Sequence, residues 1–117
     1  MTIKRIDVSE RMSQAVVHNG TVYTAGQVAR EAPGGSIEDQ TRDILARIDA
    51  LLAEAGSDKS KLISATIWLT DMRDFAEMNA VWDAWVSPGN TPGRACVESR
   101  LAAQQFNVEI GVIAAVE

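Results

Sequence analysis

Two short stretches of this sequence combine residue types that can do chemistry. The first is Thr91-Pro92-Gly93-Arg94-Ala95-Cys96-Val97-Glu98, and the second is Val108-Glu109-Ile110. In an extended strand Arg94, Cys96 and Glu98 share one face, with Ala95, Val97 and Ser99 on the other. An arginine that enters an apolar strand straight after a Pro-Gly turn is placed to meet an anion. Its planar fork gives a carboxylate two hydrogen bonds. Glu109 lies inside an apolar strand, where a carboxylate is costly unless it is paired or used. Two plainer readings stay open: Arg94 and Glu109 pair with each other, or both stand at a wet sheet edge. Cys96 alone reads as a small buried hydrophobe, and no histidine is available to make it a thiolate nucleophile.

Easier chemistries fail. His18 is the only histidine, which excludes sites built on two or three imidazoles and the Ser-His-Asp triad. Beside a hairpin turn it reads as a solvated surface residue. There is no G-x-G-x-x-G and no G-x-x-x-x-G-K-[ST], and Pro33-Gly34-Gly35 reads as a turn. Met12, Met72, Met78 and the tryptophans read as core. Eleven Lys plus Arg against sixteen Asp plus Glu leave a net charge of -5, which counts against a nucleic-acid partner. A lone Cys96 allows no internal disulfide and points to no oxidising compartment. With no apolar h-region at the start and no stretch of membrane-span length, a cytoplasmic protein without a membrane partner is expected.

The elements that must position Arg94 and Glu109 follow from periodicity. Asn19-Gly20, flanked by Ala15-Val16-Val17 and Thr21-Val22-Tyr23, predicts a type I′ hairpin with Val17 facing Val22 and Val16 facing Tyr23. Ser36 can cap a helix whose buried face is Ile44, Leu45, Ile48, Leu51, Leu52 and Ala55, with Gly56 at its C-terminal cap. Asp43, Arg47, Asp49 and Glu54 take the opposite face. Leu62 to Leu69 reads as a strand with Ile63, Ala65, Ile67 and Leu69 on one side. A second helix starts near Asp74, with Phe75, Met78, Val81, Trp82, Trp85 and Val86 at helical spacing. Strands at about 94–101 and 107–116 close the chain.

The order is hairpin, helix, strand, helix, strand, strand, in one domain spanning 1–117. Two helices cover one face of a sheet and leave the other bare. The last strand is nonetheless apolar on both sides, with Val108, Ile110, Val112 and Val116 against Gly111, Ile113 and Ala115. Such a strand is normally buried on both faces. The bare face is therefore expected to pack on another copy of the chain.

The same residues resemble the RidA/YjgF family of reactive-intermediate deaminases, also labelled endoribonuclease L-PSP. The matching stretches are Ser13-Gln14-Ala15-Val16, Tyr23-Thr24-Ala25-Gly26-Gln27-Val28, Asp74-Phe75-Ala76-Glu77-Met78-Asn79, Pro92-Gly93-Arg94-Ala95-Cys96-Val97 and Val108-Glu109-Ile110. They follow the family's order and spacing over essentially the whole chain. The resemblance implies an α+β, chorismate-mutase-like fold: a mixed sheet with two helices on one face, assembled as a homotrimer with sites between subunits. It implies hydrolysis of 2-imino acids and enamines to 2-keto acids and ammonia, with no metal or organic cofactor. Arg94 would clamp the substrate carboxylate, the backbone around Cys96 would face the imine nitrogen, and Glu109 would activate water. The backbone near Gly26 would line the cleft, together with Asn79 and Trp82.

Two positions depart from the family pattern. Met12 stands where its best-characterised members have a ligand-contacting tyrosine, and Ala25 where many have serine. The chain therefore resembles a sister branch. A carboxylate-binding or regulatory trimer with little turnover is the alternative function. A ribonuclease or translation-inhibitor role has the acidic charge balance and the lone histidine against it.

Overall fold

The computed structural model describes residues 2–117. The elements in chain order are β1 (Lys4–Val8), β2 (Ser13–His18), β3 (Thr21–Thr24), α1 (Ile37–Ala55), β4 (Leu62–Leu69), α2 (Phe75–Trp85), β5 (Gly93–Glu98) and β6 (Val108–Ala115). They form an α+β fold around one mixed sheet of order β1-β2-β3-β6-β4-β5. β4 and β5 are parallel and every other pair is antiparallel. The parallel pair needs a crossover, and α2 supplies it.

Local chemistry explains the boundaries. Asn19 and Gly20 both take positive φ (53° and 78°), and the hairpin register pairs Val17 with Val22 and Val16 with Tyr23 as expected. The Ser36 side chain accepts from the Asp39 amide at 3.0 Å. Gly56 ends α1 in the left-handed region at φ 85°. Ile44, Leu45, Ile48, Leu51, Leu52 and Ala55 are all buried, at about 1.5–3 kcal/mol for each large aliphatic side chain. Along β6, Val108, Ile110, Val112 and Ala114 are buried under the helices while the alternate residues are only half-buried. Among the described residues no helix is long and apolar enough to cross a membrane.

Several expectations need correction. β1 was not expected; it pairs with β2 and buries only Ile6, so it carries no alternation to read. Ile63 is 52% exposed and does not share the face of Ala65, Ile67 and Leu69. A β-bulge between Leu62 and Ser64 turns it out, and Leu62 takes the buried place. β5 stops at Glu98, short of Leu101. Met12 and Met72 are exposed and Trp68 and Trp85 half-buried, which leaves Met78 and Trp82 in the core. His18 is half-buried, and its Nδ1 is enclosed without a hydrogen-bond partner.

Candidate active site

Arg94 stands at the start of β5, an edge strand, with its side chain exposed. It lies beside Ala65 of β4, whose side chain is buried on the helix-covered face. Arg94 therefore points to the α2 side. There Nη1 donates to Asn79 Oδ1 at 2.8 Å. The guanidinium carbon sits 5.5 Å from the Trp82 ring centroid and 5.8 Å from that of Phe75. Phe75, Asn79 and Trp82 follow at i, i+4 and i+7, so one stripe of α2 presents all three. Among the described residues no carboxylate lies within 4.0 Å of Arg94. The result is a held cation with an open charge.

Cys96 lies two residues on, half-buried, and burial pushes its thiol up despite the nearby Arg94. It stays a neutral thiol at neutral pH. Glu98 is occupied elsewhere, accepting from the Met72 amide at 2.8 Å. As an edge strand, β5 leaves half of its backbone groups without a partner in the sheet.

Glu109 forms a second group. It sits on β6 beside Trp68 of β4, on the face the helices do not cover, half-buried. Burial raises its carboxyl above the ordinary range, because desolvation penalises the charged form. Gly26 lies directly against it: a Cβ built there would fall 2.8 Å from Glu109 Cδ and 3.0 Å from Cγ. The backbone of Gln27 bonds that of Ile110 in both directions, at 2.8 and 3.1 Å, and pins this segment to β6. A depression of about 180 Å³ opens beside Gly26 and Gly111, bordered by Ser64, Thr66 and Trp68.

The expected residues thus fall into two groups. Arg94, Cys96, Asn79 and Trp82 form one, and Glu109, Gly26 and Ala25 the other. Met12 is exposed in the β1–β2 turn, at the same sheet end as Ala25, whose amide donates to the Gln14 carbonyl. A single chain does not bring Arg94 and Glu109 together, so they form no internal ion pair. Arg94 does stand exposed at a sheet edge, whereas Glu109 lies on β6 inside the sheet. A larger cavity of about 470 Å³, bordered by Thr70, Arg100, Phe106 and Asn107, includes neither residue. Phe75 was not expected as an Arg94 contact, and Gln27, although it lies in one of the matching stretches, had no role assigned. The helical spacing of Phe75 with Asn79 and Trp82 was the available signal for the first.

Comparison with known proteins completes the picture. The sequence model of the family described as endoribonuclease L-PSP matches residues 2–116. The RutC family protein YoaB of Escherichia coli K12 is 47% identical over 116 residues, covering 99% of this chain and 100% of that protein. A RutC family protein of Haemophilus ducreyi is 44% identical over 114 residues, 97% of either chain. The crystal structure of a YjgF family member from Neisseria meningitidis is similar with a TM-score of 0.96 at 47% identity, covering 100% of this chain and 97% of that one.

Proposed function

Because this chain belongs to the RidA/YjgF family, the one described as endoribonuclease L-PSP, we propose that it hydrolyses 2-imino acids and their enamine tautomers. The products are 2-keto acids and ammonia, and the reaction takes place in clefts between the subunits of a homotrimer. The observation that carries this reading is Arg94, a guanidinium held by Asn79 and two rings with no carboxylate among the described residues to neutralise it. A planar fork so fixed suits the carboxylate that every 2-imino acid carries.

Glu109 completes the chemistry from a neighbouring subunit. Its raised pKa fits a group that takes a proton from water as the water oxygen bonds to the imine carbon. The same proton then passes to the nitrogen of the carbinolamine. The hydroxyl proton then moves to that nitrogen as the C–N bond breaks, leaving the keto acid and ammonia, so one water is consumed and one ammonia released. Unpaired backbone groups near Cys96 face the substrate nitrogen, and Ala25, Gly26 and Met12 line the side nearest Glu109. Asn79 and Trp82 act through Arg94.

The trimer draws support from the bare sheet face, where Tyr23 is 46% and Val97 44% exposed. Apolar groups at that density call for a partner surface, and a closed ring of identical copies buries all of them. A second reading, a carboxylate-binding trimer with little turnover, draws on one observation: neither Ala25 nor Met12 brings a hydroxyl to the Glu109 side.

The deciding assay generates imines with an amino-acid oxidase, traps them with semicarbazide, and measures whether the protein suppresses trapping. Suppression is expected. Binding of 2-ketobutyrate without suppression for any imine would give the site to the second reading.

A further inference from the structure

We infer that Gln27 is a positioning residue for Glu109, its buried amide holding the Ala25–Gly26 peptide in the one orientation that seats Gly26 against the carboxylate. Gln27 is 1% exposed although it lies in the connection between β3 and α1. A buried amide needs partners, and this one has them on two elements and within its own connection. Nε2 donates to Gln14 Oε1 on β2 at 2.9 Å and to the Ala25 carbonyl at 3.0 Å. Oε1 accepts from Arg47 Nε on α1 at 3.3 Å. The Gln27 backbone is the part already bonded to Ile110, the strand neighbour of Glu109.

The consequence for Glu109 is geometric. In a planar trans peptide the Ala25 C=O and the Gly26 N–H point opposite ways. Nε2 draws the carbonyl toward the buried side, so the Gly26 N–H is turned away from Gln27. The carboxylate leaves no room for slack, since even a Cβ on Gly26 would overlap it. Rotating this peptide therefore changes the space and the burial that Glu109 experiences. Closing the loop alone would not need an amide, because a buried apolar residue of equal size serves when both polar partners are dispensable.

The inference rests on the reading that Glu109 activates water, and two variants separate the two claims. Gln27→Glu keeps the shape, attracts Arg47, and lets the Gln14 amide turn round to donate. The donor to the Ala25 carbonyl is lost, and a carboxylate oxygen that repels that carbonyl takes its place. We expect kcat for imine hydrolysis to fall about tenfold or more, the order expected of small misplacements, with KM nearly unchanged, both measured well below a melting temperature that the buried carboxylate lowers. Gln27→Met is neutral, so any change it causes in the Glu109 titration, followed by carboxyl carbon NMR, reports geometry and not added charge. A displaced midpoint is expected there, and this readout needs no turnover. An unchanged kcat in Gln27→Glu or an unchanged midpoint in Gln27→Met overturns the role. A wild type that hydrolyses no imine sinks the proposed function instead, and the titration alone then decides on Gln27.

Discussion

Arg94 and Glu109 stand on opposite faces of one sheet although both flank the same strand. Arg94 lies beside Ala65 and Glu109 beside Trp68. Those β4 residues are an odd number of positions apart, so their side chains point to opposite sides. No rotamer change joins the two groups within one chain. A site that uses both needs two chains.

Glu109→Gln tests the base most simply. The amide keeps shape and hydrogen bonding but cannot take a proton from water. Turnover is expected to fall by about 10²–10⁴, the usual contribution of general acid–base catalysis, with 2-ketobutyrate affinity little changed. Lost affinity with turnover retained per bound substrate would make Glu109 a binding group.

The raised Glu109 carboxyl also predicts a pH-dependent stability effect. Its folded pKa lies above the unfolded value near 4.5, so the native state binds the proton more readily. Stability contributed by this group therefore declines as pH rises from the unfolded value through the folded one, and the penalty stays at higher pH. Glu109→Gln removes the charge and with it the penalty. Its melting temperature relative to wild type should be higher at neutral pH than at about pH 3, well below the unfolded value, where both side chains are essentially neutral. A difference that is constant with pH would contradict the burial account.

Gly26→Ala and Gly111→Ala form an opposed pair. At Gly26 the new Cβ meets the Glu109 side chain, whereas at Gly111 the nearest atoms are 3.7 Å away, an ordinary contact. Turnover should collapse in the first and largely survive in the second. Equal effects would show that the close approach of Gly26 has no functional part.

Asn79→Asp places a carboxylate against Arg94 where a neutral acceptor now stands. The resulting ion pair competes with substrate, and KM should rise by roughly tenfold or more, given ~1.5–3 kcal/mol for hydrogen bonds to charged groups. Asn79→Ala should raise it less. An unaltered KM in Asn79→Asp would remove Arg94 from the carboxylate site.

The elements around these residues were legible where a local rule governs them. Asn19-Gly20, Ser36 and Gly56 mark their turn and caps because positive φ and orphan amides admit few residue types. β1 was not legible, since Lys4, Arg5, Asp7 and Val8 are exposed around the single buried Ile6. Ile63 misled because a bulge breaks the period of two. Arg94 and Glu109 stood out by type, but their opposite faces depend on both strands flanking β4, and strand order is a tertiary fact. The role of Gln27 was not legible for a different reason. Burial of a polar loop residue is decided by partners such as Gln14 and Arg47, far away in sequence.

Subunit mixing tests the shared cleft most directly. Arg94→Ala and Glu109→Gln subunits are each expected to be inactive alone, and are unfolded and refolded together. If each cleft takes Arg94 from one subunit and Glu109 from the next, some mixed clefts contain both native residues. Random assembly of equal amounts should then restore roughly a quarter of wild-type activity, as closed cyclic symmetry requires. A mixture as inactive as its two parents, in trimers shown to be mixed, would contradict the shared site.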